Sequence, residues 1–162
     1  MADFQTFDLA TMKPEEVEFT ATVDLEPKLG DDAVDSTTGS ESKKKKNWCY
    51  GLVLWFDTCF TSRFCKDAPT VLSTSPYTPK THWSQTILTL REPIALAVGK
   101  AGFEKCDGGV VGTDECPASR MESRISIVRA PQHRSIDISM EVAVVGMDGR
   151  KRKWPVQIFN LY

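Results

Sequence analysis

Alternation of apolar and polar residues with a period of two dominates the sequence, and two segments show it most clearly. From Val17 to Leu25 the odd-numbered positions are apolar, and from Ile136 to Val144 the even-numbered positions are apolar. Successive side chains of a β-strand point to opposite faces, so this pattern indicates strands with one buried face and one solvent-exposed face. Both segments are therefore predicted to be strands of an antiparallel sheet.

A third strand is predicted at Trp48 to Phe56, where consecutive apolar residues are typical of a strand covered on both faces. Further strands are predicted around Gln85 to Leu90, Ile125 to Arg129 and Val156 to Leu161. Turn residues bound them: Pro93, Gly99, Pro131, Gly146 and Gly149, with Asp148-Gly149 as a hairpin turn.

No segment carries a sustained helical stripe, and only Met12 to Glu16 predicts a helical turn. Short strands at this spacing predict an all-β fold, an antiparallel β-barrel or barrel-like sandwich that forms a single domain over residues 1–162. Closure of the sheet would remove the exposed edges that an open sheet must protect.

Residues 30–47 depart from this pattern because they are rich in Asp, Ser and Thr and end in four lysines, Lys43 to Lys46. Such a segment cannot offset its ordering entropy by burial, so we predict a long disordered loop within the domain. The lysines are also compatible with a nuclear import signal or a patch for an acidic partner.

The overall charge argues against several classes of partner. With 20 basic and 22 acidic residues the net charge is −2, which gives no general attraction for nucleic acid or anionic membranes. Residues 1–10 lack the hydrophobic centre of a signal peptide, so we expect a cytoplasmic protein, with the nucleus as a second location. The five cysteines show no two-residue gap of a zinc or redox pair, so we expect reduced thiols and no metal site.

The familiar catalytic and nucleotide motifs are missing. The glycines near residues 99–112 form neither a phosphate-binding loop nor a dinucleotide fingerprint, so no cofactor-binding residues are predicted. No Ser or Cys stands in a recognisable nucleophile motif. What remains is Val71 to Thr86, predicted to be a loop because of its two prolines and many hydroxyls. This segment carries Tyr77, His82 and Trp83 immediately before a strand, and such loops often line a site. The alternative is that Trp83 packs on the core and His82 bonds a neighbouring backbone group.

Three short pieces of sequence resemble the barrel domain of protein arginine methyltransferases. They are Asp57 to Thr61, Leu72 to Pro76 and Thr81 to Thr86, of which the Thr-His-Trp loop is the most specific. The similarity is dense from Gly51 to Glu92 and weaker elsewhere. Within the family, the sequence is most similar to plant members of the type-3 branch. Lys80 stands where many relatives have Tyr.

The resemblance implies that two domains share the catalytic function. In this family a Rossmann-like domain binds S-adenosylmethionine, a carboxylate pair holds the substrate guanidinium, and the barrel closes the far side of that pocket. The resemblance covers only the barrel, so it implies that the cofactor domain and the dimerisation arm lie outside this sequence and that this chain alone is inactive. By the same match, His82 would assist catalysis by bonding a carboxylate of the cofactor domain. Thr81 and Trp83 would bind substrate, Thr81 by setting the loop and Trp83 as an aromatic wall.

The implied partners are the enzyme's own cofactor domain, a second copy in the full-length homodimer, and Arg-rich protein substrates such as ribosomal proteins. A noncatalytic β-barrel module that binds basic or Arg/Gly-rich peptides stays open as the alternative, and so does the enzymatic status of this chain.

Overall fold

The computed structural model describes residues 2–28, 46–98 and 108–162, and the chain divides into two compact units. The first unit comprises Met1–Cys49 and Ile94–Tyr162, and the second comprises Tyr50–Pro93. The described residues form nine strands: β1 Phe19–Leu25, β2 Lys46–Leu54, β3 Asp57–Phe60, β4 Thr70–Ser73, β5 Thr86–Ala97, β6 Ala118–Arg129, β7 Ile136–Gly146, β8 Lys151–Lys153 and β9 Gln157–Leu161. The helical turn expected near Met12 is a 3-10 helix at Pro14–Val17.

In the first unit the sheet is built around β6 and β7. Strand β6 pairs antiparallel with β1 on one side and with β7 on the other, and β7 pairs with β8 and β9. The register places Ser123 of β6 between Val23 of β1 and Val142 of β7. In addition, Leu96 of β5 pairs with Ala118 of β6 in parallel orientation. The strands predicted at Val17 to Leu25 and Ile136 to Val144 are thereby confirmed within a residue or two.

The core of the first unit lies on one face of this sheet. Met121 and Ile125 of β6, and Ile138, Met140 and Val144 of β7, are each at most 2% exposed. Burying one such side chain contributes about 1.5–3 kcal/mol, so the alternation read from the sequence corresponds to the main stabilising surface of this unit.

The turn predicted at Asp148-Gly149 is confirmed, and it joins β7 to β8. Gly149 has φ +80°, a backbone conformation that glycine adopts without strain. The guanidinium of Arg150 donates to the Asp148 carboxylate at 2.6 Å and to the Gly109 carbonyl at 2.9 Å. It also reaches the sulfur of Cys116 at 3.6 Å. One side chain therefore ties the turn to the segment that precedes β6.

The expectation of reduced thiols is wrong for Cys116, which is fully buried and disulfide-bonded. Cys49, Cys59 and Cys65 are free thiols. Motif spacing tests for metal and redox pairs, whereas a disulfide requires only that two Cβ atoms meet in space, which the spacing did not reveal.

The second unit contains the hairpin of β3 and β4 and adjoining parts of β2 and β5. In the hairpin, Asp57 pairs with Ser73 and Phe60 with Thr70. Strands β2 and β5 are hydrogen-bonded neighbours, and they approach closely at Gly51, where an added Cβ would lie 2.6 Å from the carbonyl oxygen of Leu88.

Several boundaries differ from the sequence prediction. Residues Val71 to Ser73 belong to β4 and not to a loop, and β5 continues through Pro93, which the sequence predicts to be a bounding turn residue. Proline is tolerated in a strand where its position needs no backbone donor. Of the predicted disordered loop 30–47, Lys46 and the following residue lie in β2, and the rest falls outside the described residues.

Strand β2 is not covered on both faces as predicted. Trp48 is 43% exposed and Tyr50 is 67% exposed, while Leu52 is partly buried. An apolar run alone does not distinguish a strand buried within its own chain from one that keeps an apolar face at the surface. The fold class is nevertheless confirmed as an all-β, barrel-like sandwich, although the strand pairs of the described residues do not close into a ring. In the described ranges we find no helix of the length and apolarity that a membrane span requires.

Candidate functional site

The candidate site is the segment between the end of β4 at Ser73 and the start of β5 at Thr86, which lies entirely in the second unit. Within it, the hydroxyl of Thr81 accepts a hydrogen bond from the backbone N–H of Trp83 and donates to the Trp83 carbonyl, both at 3.2 Å. A threonine hydroxyl that bonds the backbone two residues ahead fixes a tight turn. Thr81 thus shapes the turn that carries His82.

His82 and Trp83 lie side by side on that turn. Their ring centroids are 3.7 Å apart, and the Trp83 indole also meets the Phe56 ring edge-on, with centroids 6.0 Å apart. Trp83 is 43% exposed, and His82 is exposed as well. The imidazole forms no hydrogen bond with any other residue of the described ranges. The structure therefore brings Thr81, His82 and Trp83 together at the surface of the second unit, and it does not bury the two rings in a core.

The base of the segment is held by hydrogen bonds that the sequence did not predict. Thr74 is 2% exposed, and its hydroxyl donates to the Phe56 carbonyl at 2.8 Å and accepts from the Phe56 N–H at 3.1 Å. The side-chain amide of Gln85 donates to the Thr74 carbonyl at 2.7 Å. These bonds join residues 11 and 18 positions apart, so no local pattern marks them.

The first half of the segment folds on itself. The Ser73 hydroxyl donates to the Asp57 carboxylate at 2.6 Å and accepts from the N–H of Ser75 at 3.1 Å. Ser75 in turn accepts from the N–H of Tyr77 at 3.2 Å, and the Thr78 hydroxyl donates to the Ser75 carbonyl at 2.9 Å. The many hydroxyls of this stretch thus satisfy backbone groups, and the Tyr77 ring is left 85% exposed.

Metal chemistry finds no support in the described ranges, where no three His, Cys, Asp or Glu side chains gather closely enough to hold an ion. The second histidine of the chain, His133, is exposed in the first unit. What the candidate segment offers is a pair of accessible aromatic rings: an indole, which only donates a hydrogen bond, and an imidazole, which can both donate and accept one.

Comparison with known proteins decides the family. A family model described as the arginine methyltransferase oligomerization subdomain matches residues 1–105, well over half of the chain. The chain belongs to the arginine methyltransferase family. The match includes the whole candidate segment, and it supports the C-terminal domain of the family as the part to which the chain corresponds.

Individual relatives sharpen this assignment. The chain is 57% identical over 157 residues to "Probable protein arginine N-methyltransferase 3" of Arabidopsis thaliana, covering 97% of this chain and 24% of that protein. It is 54% identical over 160 residues to the protein of the same name from Oryza sativa subsp. japonica, covering 99% of this chain and 24% of the relative. The resemblance to the plant type-3 branch is thereby confirmed.

A more distant match is human "Protein arginine N-methyltransferase 2", 36% identical over 56 residues, which covers 35% of this chain and 13% of the human protein. The chain spans about a quarter of the length of the plant relatives that it matches. The family description assigns this region to oligomerization, which agrees with the expected association of family members.

Proposed function

We propose that this chain forms the substrate-side β domain of an S-adenosylmethionine-dependent protein arginine N-methyltransferase, which methylates guanidino nitrogens of protein arginines. The observation that carries the proposal is the exposed His82–Trp83 pair on the turn set by Thr81, within a region that matches the family. S-adenosylmethionine supplies the methyl group when it is bound. No residue of this chain is assigned to binding it.

The chemistry of the substrate explains what the candidate segment contributes. A guanidinium is always protonated, planar and delocalised, so it must be held in one orientation, with charge concentrated on one nitrogen, before it can act as a nucleophile. We assign the carboxylates that would do this to another part of the enzyme. The exposed face of Trp83 offers a planar wall on which a guanidinium stacks favourably, a contact worth about 0.5–2 kcal/mol.

His82 has a complementary role in this proposal. Its imidazole makes no hydrogen bond within the described ranges, so both ring nitrogens remain available to a partner. We assign it a hydrogen bond to a carboxylate of the cofactor-binding domain, where it orients that carboxylate and assists departure of the proton from the methylated nitrogen. The Thr81 hydroxyl holds the turn that presents His82.

The resemblance also supports the remaining parts of the proposal. On that ground we assign Arg-rich proteins, including ribosomal proteins, as substrates and a homodimer as the full-length state. Independently of the resemblance, we propose the cytoplasm, with the nucleus second, as the location. We expect the isolated chain to be inactive. Methyl transfer to an Arg-rich peptide by the purified chain with S-adenosylmethionine alone would refute that expectation.

The test of the proposed site is His82→Ala in an enzyme that carries this chain. Loss of an assisting acid or base is expected to lower turnover by roughly 10²-fold. The matched control is His133→Ala, because His133 is the other histidine of the chain and lies exposed in the first unit. Steady-state methylation of an Arg-rich peptide measures both variants, and equal turnover in the two would assign His82 to packing alone.

A noncatalytic module that binds Arg/Gly-rich peptides is the second candidate, and the exposure of Tyr77 and Trp83 favours it. Titration of the isolated chain with such a peptide, in which calorimetry measures the heat of binding, tests this alternative. Binding that is abolished by Trp83→Ala, together with full activity of the His82→Ala enzyme, would favour the module over the enzyme domain.

A further inference from the structure

The segment that carries His82 and Trp83 is closed at its base by a single side chain. The amide of Gln85, the residue directly before β5, donates to the carbonyl of Thr74, the residue directly after β4, at 2.7 Å. Twelve residues lie between these two points inclusive, which is the size of a compact loop whose ends meet. The hydrogen bond therefore sets the distance between the two ends of the segment.

Thr74 is itself a fixed point. Its backbone N–H donates to the Phe56 carbonyl at 3.1 Å, and its hydroxyl bonds both the N–H and the carbonyl of Phe56. At 2% exposure this hydroxyl has no water to replace those partners, so the arrangement is costly to break. Gln85 thus ties the downstream end of the segment to a rigid position.

Phe56 completes the connection to the site. Its backbone holds Thr74, and its ring meets the Trp83 indole edge-on at 73°. The position of Trp83 is consequently determined from two sides: through the ring of Phe56, and through the chain that Gln85 anchors two residues later. The His82 ring, tilted by 35° against the Trp83 indole with centroids 3.7 Å apart, takes its position from the same arrangement.

We propose that Gln85, through its hydrogen bond to the Thr74 carbonyl, is a positioning residue that sets the placement of His82 and Trp83 for methyl transfer. This inference rests on the proposed function of those two residues. Gln85 touches neither substrate nor methyl donor in this role. It acts by restricting the positions of the His82 and Trp83 rings. A displacement of such groups by about 1 Å can lower the rate of the catalysed step by up to roughly 10²-fold.

Two substitutions at position 85 separate positioning from general stability, in an enzyme that carries this chain. Gln85→Leu keeps the approximate size and removes the donor, whereas Gln85→Lys retains an N–H donor of sufficient reach for the Thr74 carbonyl. For Gln85→Leu we expect kcat to fall roughly tenfold, with an unchanged KM for S-adenosylmethionine and an unchanged melting temperature. Gln85→Lys is expected to recover most of the lost kcat.

Gln132→Leu is the matched control, since Gln132 is exposed in the first unit and its side chain has no role in the candidate segment. An unchanged kcat in Gln85→Leu would overturn the proposal. Equal losses in Gln85→Leu and Gln85→Lys, accompanied by a lower melting temperature, would also overturn it, because they would indicate a purely structural residue.

The His82→Ala enzyme distinguishes failure of this inference from failure of the proposed function. If His82→Ala lowers turnover while Gln85→Leu does not, only the positioning role is wrong. If neither variant changes turnover, the assignment of the site itself is wrong. A reduced kcat in Thr74→Val with retention in Thr74→Ser, which keeps the hydroxyl that bonds the Phe56 backbone, would give independent support for Thr74 as the fixed point to which Gln85 ties the segment.

Discussion

The two units of the chain differ in how far their large apolar side chains are buried. In the first unit, β6 and β7 bury alternate side chains along 12 and 11 residues, and the buried set includes Met121, Ile125 and Ile138. In the second unit, Leu88 is a large apolar side chain with no exposed area, while many others are at least 40% exposed: Tyr50, Val53, Phe56, Phe60, Phe64, Val71, Tyr77, Trp83 and Ile87.

This difference indicates two sources of order. The first unit is stabilised mainly by apolar area removed from water, which is the dominant favourable contribution to folding. The second unit relies on hydrogen bonds such as those of Thr74 and on a close approach of two strands at Gly51. A surface with so many exposed aromatic side chains is typical of a protein–protein contact, in keeping with the oligomerization subdomain that the family model describes.

The largest effect that tests the comparison is expected in the core of the first unit. Ile138→Ala removes a side chain that is 1% exposed near the start of β7, and it should lower the free energy of unfolding by about 2–5 kcal/mol. Ile158→Ala is the matched control on the neighbouring strand β9, because Ile158 is 70% exposed, and its effect should stay within about 0.5 kcal/mol. Urea denaturation measures both. Similar losses of unfolding free energy in the two variants would contradict the conclusion that buried apolar side chains stabilise the first unit.

The next effect concerns the backbone contact of the second unit. In Gly51→Ala the new Cβ would lie 2.6 Å from the Leu88 carbonyl oxygen and 3.2 Å from the Cα of Thr89, so β2 and β5 would have to separate. Overpacking of this kind costs about 1–3 kcal/mol. Ile87→Ala, at a side chain 63% exposed beside Leu88, serves as the control. Thermal unfolding that is unaltered by Gly51→Ala would show that close strand approach does not order this unit.

The smallest effect is electrostatic and belongs to the surface of the first unit. The hydrogen bond from Lys151, with further attraction from Lys151, Arg120 and Lys153, lowers the pKa of Glu122 below its ordinary value of 4.5, against a smaller opposing effect of desolvation. A carboxylate with a lowered pKa stabilises the fold above the unfolded-state pKa, and this contribution disappears as pH falls through the folded-state pKa.

Glu122→Gln should therefore reduce stability at neutral pH by less than about 1 kcal/mol, because the ion pair is near the surface. The difference from the unsubstituted chain should vanish in acid, below the lowered pKa of Glu122. Urea denaturation at a series of pH values measures it. A difference that grows toward low pH would contradict the assigned direction of the pKa shift.

The sequence predicted those parts of the fold that depend on local pattern. Alternation located β1 and β7, and Asp148-Gly149 located the turn into β8. It missed the hairpin of β3 and β4, because strands of four residues are too short to establish a period. It also ended β5 too early at Pro93, since a proline inside a strand is decided by whether its position requires a hydrogen-bond donor.

The candidate site divides in the same way. The Thr81 to Trp83 turn was identified from a short motif, and its local hydrogen bonds involve residues two positions apart. Thr74 and Gln85 were not identified, because the value of a Thr or Gln at these positions depends on contacts across 18 and 11 residues. Many hydroxyls precede the turn, and composition does not tell which one is buried.

Arg150 makes its position intolerant of an exchange that most substitution tables treat as neutral. Three acceptors of different kinds surround one planar group: a carboxylate of Asp148, a carbonyl of Gly109 and the sulfur of Cys116. A lysine would bring the same charge as a compact point on a flexible stem and could not span the three at once. In an alignment of relatives, arginine and lysine at this column should accordingly be scored as different residues.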